Sequence, residues 1–190
     1  IRIAKMGFEY AQKRSKKLCC VDKANILETS RLWRETVQSM EKDYPEVTVT
    51  YEFVDAVAMR LIQWPSSYDV LITSNLFGDI LTDEASVISG SMGLMPSASV
   101  GSKNAVYEPI HGSYPEATGK KIANPIASIL SLSMMLDFTY NLKDESSLIN
   151  NAVESSLLNG FKTSDLVNKD EKVCSTNEVG DYIVKFIQNN

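Results

Sequence analysis

The strongest constraint on the fold is a regular alternation of strand-like and helix-like segments over residues 1–88. Short runs rich in β-branched and aromatic residues predict strands, whereas longer segments with apolar residues three and four apart predict amphipathic helices. Chains that alternate in this way form a parallel sheet covered by helices, so we predict an α/β fold. The predicted helices cover residues 1–15, 25–43, 56–63 and 76–88, and the predicted strands cover residues 18–21, 47–54 and 68–73.

The composition of the sequence changes between residues 89 and 121, where glycine, serine and proline interrupt any long apolar pattern. We expect this segment to form loops, which are common places for ligand-binding residues. Helical patterns return afterwards, and Pro125 is suited to the first turn of the next helix. These last predicted helices cover residues 124–136, 145–160 and 177–189.

Composition and charge exclude several classes of partner. The net charge of -5 and the pI near 5.0 disfavour nucleic acid and anionic membranes. No apolar run approaches the roughly 20 residues that cross a bilayer, and the amino terminus does not resemble a secretory signal, so we expect a cytoplasmic protein. Three cysteines without a C-x-x-C pair indicate neither a disulfide framework nor a structural zinc site. Because the chain starts at Ile1, inside an amphipathic pattern, we expect a piece of a longer protein.

Two aspartates on a predicted helix form a candidate metal site. Asp79 and Asp83 lie four residues apart, which places their Cβ atoms about 5–6 Å from each other on one helix face. Carboxylates suit Mg²⁺ or Mn²⁺, which keep water or substrate oxygens in their other positions. The alternative is a solvated acidic helix face, which is the commoner reason for this spacing. The helix follows a predicted buried strand, and open α/β sheets bind ligands at that carboxyl edge.

Asp55 and Lys23 also follow predicted strands. Asp55 is either an N-cap of the next helix, a common use of aspartate, or a functional residue at this strand end. Lys23 is either a solvated surface lysine or a general base with a pKa lowered by its surroundings.

The single histidine, His111, lies in a loop with Gly112 and Glu116. It either contacts a ligand or is a turn residue without a role. Gly112 allows close backbone approach, and an acid such as Glu116 can accept both hydroxyls of an adenine-linked ribose, which favours NAD over its 2′-phosphate form. No G-x-G-x-x-G motif occurs, so the loop is not a Rossmann fingerprint.

Taken together, the segments at residues 21–28, 75–85 and 108–125 resemble the β-decarboxylating dehydrogenases, the isocitrate/isopropylmalate dehydrogenase family. The resemblance extends over essentially the whole chain. Val-Asp-Lys-Ala-Asn-Ile-Leu-Glu at 21–28 and Val-Asp-Ala-Val-Ala-Met at 54–59 are most similar to the branch that acts on 3-isopropylmalate. The resemblance implies NAD-dependent oxidative decarboxylation of 3-isopropylmalate to 2-oxoisocaproate, a step of leucine biosynthesis, by the parent protein.

The resemblance also implies a metal site that two subunits share. Asp79 and Asp83 of one subunit and Asp55 of the other would hold Mg²⁺ or Mn²⁺ against the substrate. Lys23, also from the partner subunit, would help take the proton of the substrate hydroxyl as hydride passes to NAD. The parent protein is therefore expected to be a homodimer with shared active sites.

The cofactor residues are implied in the same way. Tyr114 replaces a usually smaller residue, and Glu116 stands where an aspartate is usual, which changes the reach to the ribose. The residues that match the family's NAD-binding positions are Asn25 for the nicotinamide half and His111, Gly112, Ser113, Glu116 and Asn124 for the adenosine half.

The resemblance further implies an incomplete fold, the carboxyl-terminal portion of the family's. Residues 1–92 would form part of the substrate-binding and dimerisation domain, and residues 93–190 part of the cofactor-binding domain. The family's substrate-binding arginines and catalytic tyrosine lie upstream of Ile1, so we expect the chain to be inactive alone. Two alternatives stay open: the same chemistry on isocitrate, homoisocitrate, tartrate or malate, and a non-catalytic dimerisation module.

Overall fold

A computed structural model describes residues 1–190, which form two compact units. The first unit covers Ile1–Ala85 and the second covers Ser86–Asn190. The predicted boundary, between residues 92 and 93, lies a few residues further along the chain. The functional roles predicted for the two parts stay predictions.

The first unit is built on a parallel three-stranded sheet. Its strands are β1 (Lys17–Asp22), β2 (Thr48–Phe53) and β3 (Val70–Ile72), in the order β2-β1-β3. β1 is the central strand, and its residues after Lys17 are all buried, as expected for a strand covered on both faces. The α/β prediction is therefore confirmed.

Helices cover both faces of this sheet: α1 (Arg2–Lys13), α2 (Glu28–Met40) and α3 (Val54–Gln63). Successive side chains of a strand point to opposite faces, so the adjacent Cys19 and Cys20 enter different cores. Cys20 packs with Phe8 and Ile72, whereas Cys19 packs in the hydrophobic core on the opposite face of the sheet. Burial raises the pKa of the Cys19 thiol to about 11 and that of Cys20 to about 12. Both thiols therefore stay protonated at neutral pH.

The fourth helix, α4 (Asn75–Ser89), follows β3 and contains the division between the units. Leu81 of this helix is buried with Val57 and Leu61 of α3, which attaches its amino-terminal part to the first unit. All four helices predicted before residue 89 are present. Their ends differ from the predicted ones by at most a few residues, which is normal for helix boundaries.

The second unit contains a hairpin that the prediction missed. Residues 89–121 were expected to be loops, but β4 (Pro96–Val100) and β5 (Ala105–Pro109) form an antiparallel pair within this segment. Proline stands at the first residue of β4 and the last of β5, positions where a strand tolerates it. The turn is closed by a hydrogen bond from the Gly101 N–H to the Asn104 carbonyl.

Three helices complete the second unit: α5 (Ile126–Phe138), α6 (Lys143–Leu158) and α7 (Thr176–Gln188). Their core includes Ile126, Val153, Cys174 and Val179. α7 begins with a capping box in which Ser175 and Glu178 exchange hydrogen bonds. No helix of the protein is both long and apolar enough to span a bilayer.

Candidate active site

Candidate residues of the first unit collect at the carboxyl edge of its sheet. Lys23 is the first residue after β1, and Asp55 is the second residue of α3, which begins directly after β2. β1 and β2 are paired in parallel register up to Asp22 and Phe53, so their ends lie side by side. This edge is where open α/β sheets place their ligands.

Lys23 and Asp55 contact each other directly. The Lys23 Nζ donates a hydrogen bond to Asp55 Oδ1 over 2.6 Å, and it lies 5.6 Å from the centre of the Phe53 ring. Asp55 is not an N-cap, because Phe53 holds that position and α3 has no side-chain cap. The hydrogen bond from Lys23 lowers the pKa of the Asp55 carboxyl below its usual value. The pair therefore presents an ammonium and an ionised carboxylate together.

A second ion pair lies directly behind the first, and the sequence interpretation missed it. Asp22, the last residue of β1, is only 1% exposed and binds Arg34 of α2 through two hydrogen bonds. Asp22 Oδ1 also accepts a hydrogen bond from the Ala24 N–H at 2.8 Å, and so fixes the backbone on the far side of Lys23. The hydrogen bonds that Arg34 donates to the Asp22 carboxylate raise the pKa of Arg34, so the guanidinium stays charged.

Asn25, the residue predicted near the nicotinamide, is exposed in the turn between β1 and α2. The Lys23 carbonyl accepts hydrogen bonds from the N–H groups of Ile26 and Leu27, which closes this turn. The turn therefore orients Asn25 without burying it.

The predicted metal ligands Asp79 and Asp83 lie on α4, one helical turn apart, and both are exposed. The Asn75 side-chain amide donates to Asp79 Oδ2 at 3.0 Å and so orients that carboxylate. Within the chain, no three His, Cys, Asp or Glu side chains lie close enough together to hold a metal ion. Two exposed carboxylates on one helix face fit a hard divalent ion that takes further oxygen ligands from elsewhere.

The second unit holds the loop predicted to bind adenosine. His111, Gly112 and Ser113 follow β5 and precede a short 3₁₀ helix at Pro115–Ala117, which contains Glu116. His111 Nδ1 lies 3.0 Å from the Gly112 carbonyl oxygen, whereas Gly112, Ser113 and Glu116 are exposed. A Cβ atom added at Gly112 meets nothing within 4 Å, so the backbone there is open to a ligand. The structure brings these four residues together on one loop.

Asn124 is placed differently, because both ends of its side-chain amide are engaged. Its Oδ1 accepts a hydrogen bond from the Ile126 N–H at 3.0 Å, and its Nδ2 donates to Asp165 at 3.0 Å. Asp165 also accepts hydrogen bonds from Ser91 and Thr163. Burial alone would raise the pKa of Asp165, but these hydrogen bonds outweigh it and lower the pKa. Sequence interpretation missed Asp165, whose only signal is its place in a polar loop.

Comparison with known proteins gives consistent results. The family model for isocitrate/isopropylmalate dehydrogenase matches residues 1–183. The 3-isopropylmalate dehydrogenase of Sulfurimonas denitrificans is 52% identical over 187 residues, a match that covers 98% of this chain and 53% of that protein. The corresponding enzyme of Bacteroides fragilis is 54% identical over the same length. This chain thus spans about half the length of the curated relatives it matches.

Solved structures resemble the fold closely. The isocitrate dehydrogenase of Methylococcus capsulatus superposes with a TM-score of 0.92 and is 38% identical, with 98% of this chain and 55% of that chain covered. An apo β-decarboxylating dehydrogenase of Thermococcus kodakarensis gives a TM-score of 0.88 at 37% identity, with coverages of 99% and 54%. The predicted family fold, present in part, is confirmed.

Proposed function

Because the chain belongs to the isocitrate/isopropylmalate dehydrogenase family, we propose that it is the carboxyl-terminal half of a metal-dependent, NAD-linked enzyme that oxidatively decarboxylates 3-isopropylmalate. The product would be 2-oxoisocaproate, an intermediate of leucine biosynthesis. The observation that carries the proposal is the contact between Lys23 and Asp55 at the carboxyl edge of the sheet. A cytoplasmic location remains part of the prediction.

Lys23 is the proposed proton acceptor for the substrate hydroxyl, a role that requires its neutral amine, so the ammonium that pairs with Asp55 must first release a proton to solvent. Its ammonium already lies beside a carboxylate, and its side chain is only 20% exposed, so little movement separates it from a bound ligand at this edge. Loss of the hydroxyl proton accompanies hydride transfer to NAD and gives a ketone. Loss of CO₂ from this ketone leaves an enolate, which takes up a proton to give 2-oxoisocaproate. General-base groups in such positions contribute about 10²–10⁴-fold to the rate.

Asp79 and Asp83 of one subunit and Asp55 of the other are the proposed ligands of Mg²⁺ or Mn²⁺. When bound, a divalent ion supplies Lewis-acid stabilisation of negative charge on the substrate oxygen. The exposure of all three carboxylates fits a site that a second subunit and the substrate complete. Asn75 holds Asp79 ready for this role.

The homodimer is supported by apolar surface on α3 and α4 of the first unit. Met59 and Ile62 of α3 and Leu76 and Ile80 of α4 are each more than half exposed. Large apolar residues exposed together on neighbouring elements indicate an interface with another protein. The proposed partner is a second copy of the same subunit.

NAD is the proposed cofactor of the loop that follows β5. The Glu116 carboxylate is exposed and can accept hydrogen bonds from both ribose hydroxyls, whereas it would repel a 2′-phosphate. Gly112 leaves room for the backbone to approach the nucleotide. His111, Ser113 and Asn124 complete the proposed adenosine site.

The test is NADH formation by the enzyme that carries this chain, with Mn²⁺, NAD and 3-isopropylmalate. Parallel assays with isocitrate, homoisocitrate, tartrate and malate serve as substrate controls. We expect turnover with 3-isopropylmalate to exceed that with each other acid by at least about a hundredfold in kcat/KM, since carboxylate-binding and apolar contacts both discriminate. Preference for another acid rejects the substrate, and no turnover with any acid favours a non-catalytic module.

A further inference from the structure

The Arg34 side chain reaches from α2 to the end of β1. Its Nε lies 2.7 Å from Asp22 Oδ2, and its Nη2 lies 3.0 Å from Asp22 Oδ1. Charge-assisted pairs with two parallel hydrogen bonds are strong and fix the orientation of both groups. Because Asp22 is buried, this pair is shielded from solvent.

The same guanidinium also contacts the end of β2. It lies 5.2 Å from the centre of the Phe53 ring and 5.5 Å from that of Tyr51. Asp22 and Phe53 are direct partners in the pairing of β1 with β2. Arg34 therefore joins the last residues of two neighbouring strands, one through hydrogen bonds and the other through ring contact.

The two proposed active-site residues follow those strand ends. Lys23 is next to Asp22, and Asp55 is two residues after Phe53. The Lys23 ammonium lies over the same Phe53 ring that Arg34 contacts. A lysine–aspartate pair in which Asp55 is 66% exposed gains little from its own attraction, since water screens it and holding two side chains costs entropy. The geometry of the Lys23–Asp55 pair must therefore depend on the backbone at the ends of β1 and β2.

We propose that Arg34 is a positioning residue of this active site, because its contacts with Asp22 and Phe53 hold the ends of β1 and β2 so that Lys23 and Asp55 meet. The catalytic part of this inference rests on the proposed function of Lys23. Stability alone does not account for the arrangement, since buried ion pairs can often be replaced by apolar residues without loss of stability. The required feature is the fixed distance between the two strand ends.

Three variants test the proposal in the enzyme that carries this chain. Arg34→Lys keeps a positive charge near Asp22 but loses the pair of hydrogen bonds to Asp22 and the guanidinium contact with the Phe53 and Tyr51 rings. Arg34→Met removes the charge. The double variant Asp22→Asn/Arg34→Met keeps an acceptor for the Ala24 N–H and leaves no buried charge unpaired. The control is Arg60→Met. Arg60 of α3 also forms an ion pair with a residue of β2, because its guanidinium lies 2.8 Å from the Glu52 carboxylate.

Two readouts separate positioning from folding. The first is steady-state kinetics, with kcat and the KM values for substrate and NAD measured separately. The second is the NMR shift of the Lys23 ε-methylene protons, which we expect the Phe53 ring to displace, since the Lys23 Nζ lies 5.6 Å from the ring centre. This readout needs no catalysis. Circular dichroism identifies any variant that is unfolded. If a single Arg34 variant is unfolded, the double variant still tests the proposal.

We expect all three Arg34 variants to lose the displaced Lys23 signal and to lower kcat about tenfold or more, because small misplacements of a reacting group are costly. The KM values should stay within about twofold, and Arg60→Met should leave both readouts near native. A native kcat and a native Lys23 signal in folded Arg34→Lys would overturn the proposal. Should Lys23→Met retain turnover, the proposed function of Lys23 fails, and the NMR signal alone decides whether Arg34 positions it.

Discussion

The ammonium of Lys23 lies 2.6 Å from the carboxylate of Asp55, although 32 positions separate the two residues in the chain. The contact joins the ends of two parallel strands, and a charge of each sign faces the edge where a ligand would bind. A metal ion and a substrate would both have to form contacts with this pair. The predictions about catalysis start from this arrangement.

Replacing Lys23 with methionine should lower kcat by about 10²–10⁴-fold in the enzyme that carries this chain, because the proposed general base is lost. Binding of Mn²⁺, followed by electron paramagnetic resonance, should be retained, since no carboxylate is changed. Lys17→Met, at the exposed start of the same strand, is the control. A variant as active as this control would show that Lys23 has no part in the chemistry.

Asp79→Asn should remove metal-dependent turnover, since it takes one charged oxygen ligand from the proposed site. The expected result is a large rise in the Mn²⁺ concentration needed for half-maximal activity, or no activity at all. Asp181→Asn on α7 is a matched change of an exposed helical aspartate. Equal metal dependence in the two variants would reject the assignment of Asp79.

Glu116→Gln should weaken the binding of NAD relative to the binding of NADP. The charged acceptor for the ribose hydroxyls is lost together with its repulsion of a 2′-phosphate, and hydrogen bonds to charged groups contribute about 1.5–3 kcal/mol. We therefore expect kcat/KM for NAD to fall about 10–100-fold, and the ratio of kcat/KM for NAD to kcat/KM for NADP to become smaller. Glu108→Gln on β5 is the control. An unchanged NAD preference would assign the discrimination to another residue.

Asp69 should make the stability of the first unit depend on pH. Hydrogen bonds from the Ser15 side chain, the Arg14 guanidinium and the Ser15 N–H lower the pKa of Asp69 to about 2. Because the folded pKa lies below the unfolded value near 3.9, this stabilisation is present above about pH 4 and is lost as pH falls toward about 2. The difference in Tm between the native protein and Asp69→Asn should therefore shrink over that range. A constant difference would contradict this account.

Two helical glycines should respond to alanine in opposite directions. A Cβ atom at Gly7 would clash with the Ile72 Cγ2 atom, and a buried β-branched side chain cannot easily change its rotamer to make room. Gly7→Ala should destabilise by about 1–3 kcal/mol. At Gly180 a Cβ meets nothing within 4 Å, so Gly180→Ala should stabilise by about 0.5–1 kcal/mol. Urea denaturation measures both, and a destabilising Gly180→Ala would contradict the model of an open site.

The order of helices and strands in the first unit could be predicted because each element carries its own periodicity. The hairpin of β4 and β5 could not, since its strands are short and contain serine and proline at positions where a pattern would need apolar residues. Only the cross-strand pairing, from Pro96 with Pro109 to Val100 with Ala105, makes these segments strands. Pairing between segments is a property of the folded chain, which local propensity does not contain.

The candidate site divides in the same way. Lys23, Asp55 and Asp79 could be found because each follows a predicted strand or lies on a predicted helix near the sheet edge. Arg34 and Asp165 could not, since their roles depend on where α2 crosses the strand ends and on which loops meet at Asn124. In both cases the missed residue supports a predicted one.

The three buried thiols can report when each of the two units opens. Cys19 and Cys20 lie in the cores on the two faces of the first sheet, and Cys174 lies in the core of the second unit. A thiol reagent reaches a buried cysteine only when the surrounding structure opens. Mass spectrometry of the labelled peptides would therefore time the opening of each unit separately, without a probe being added to the protein.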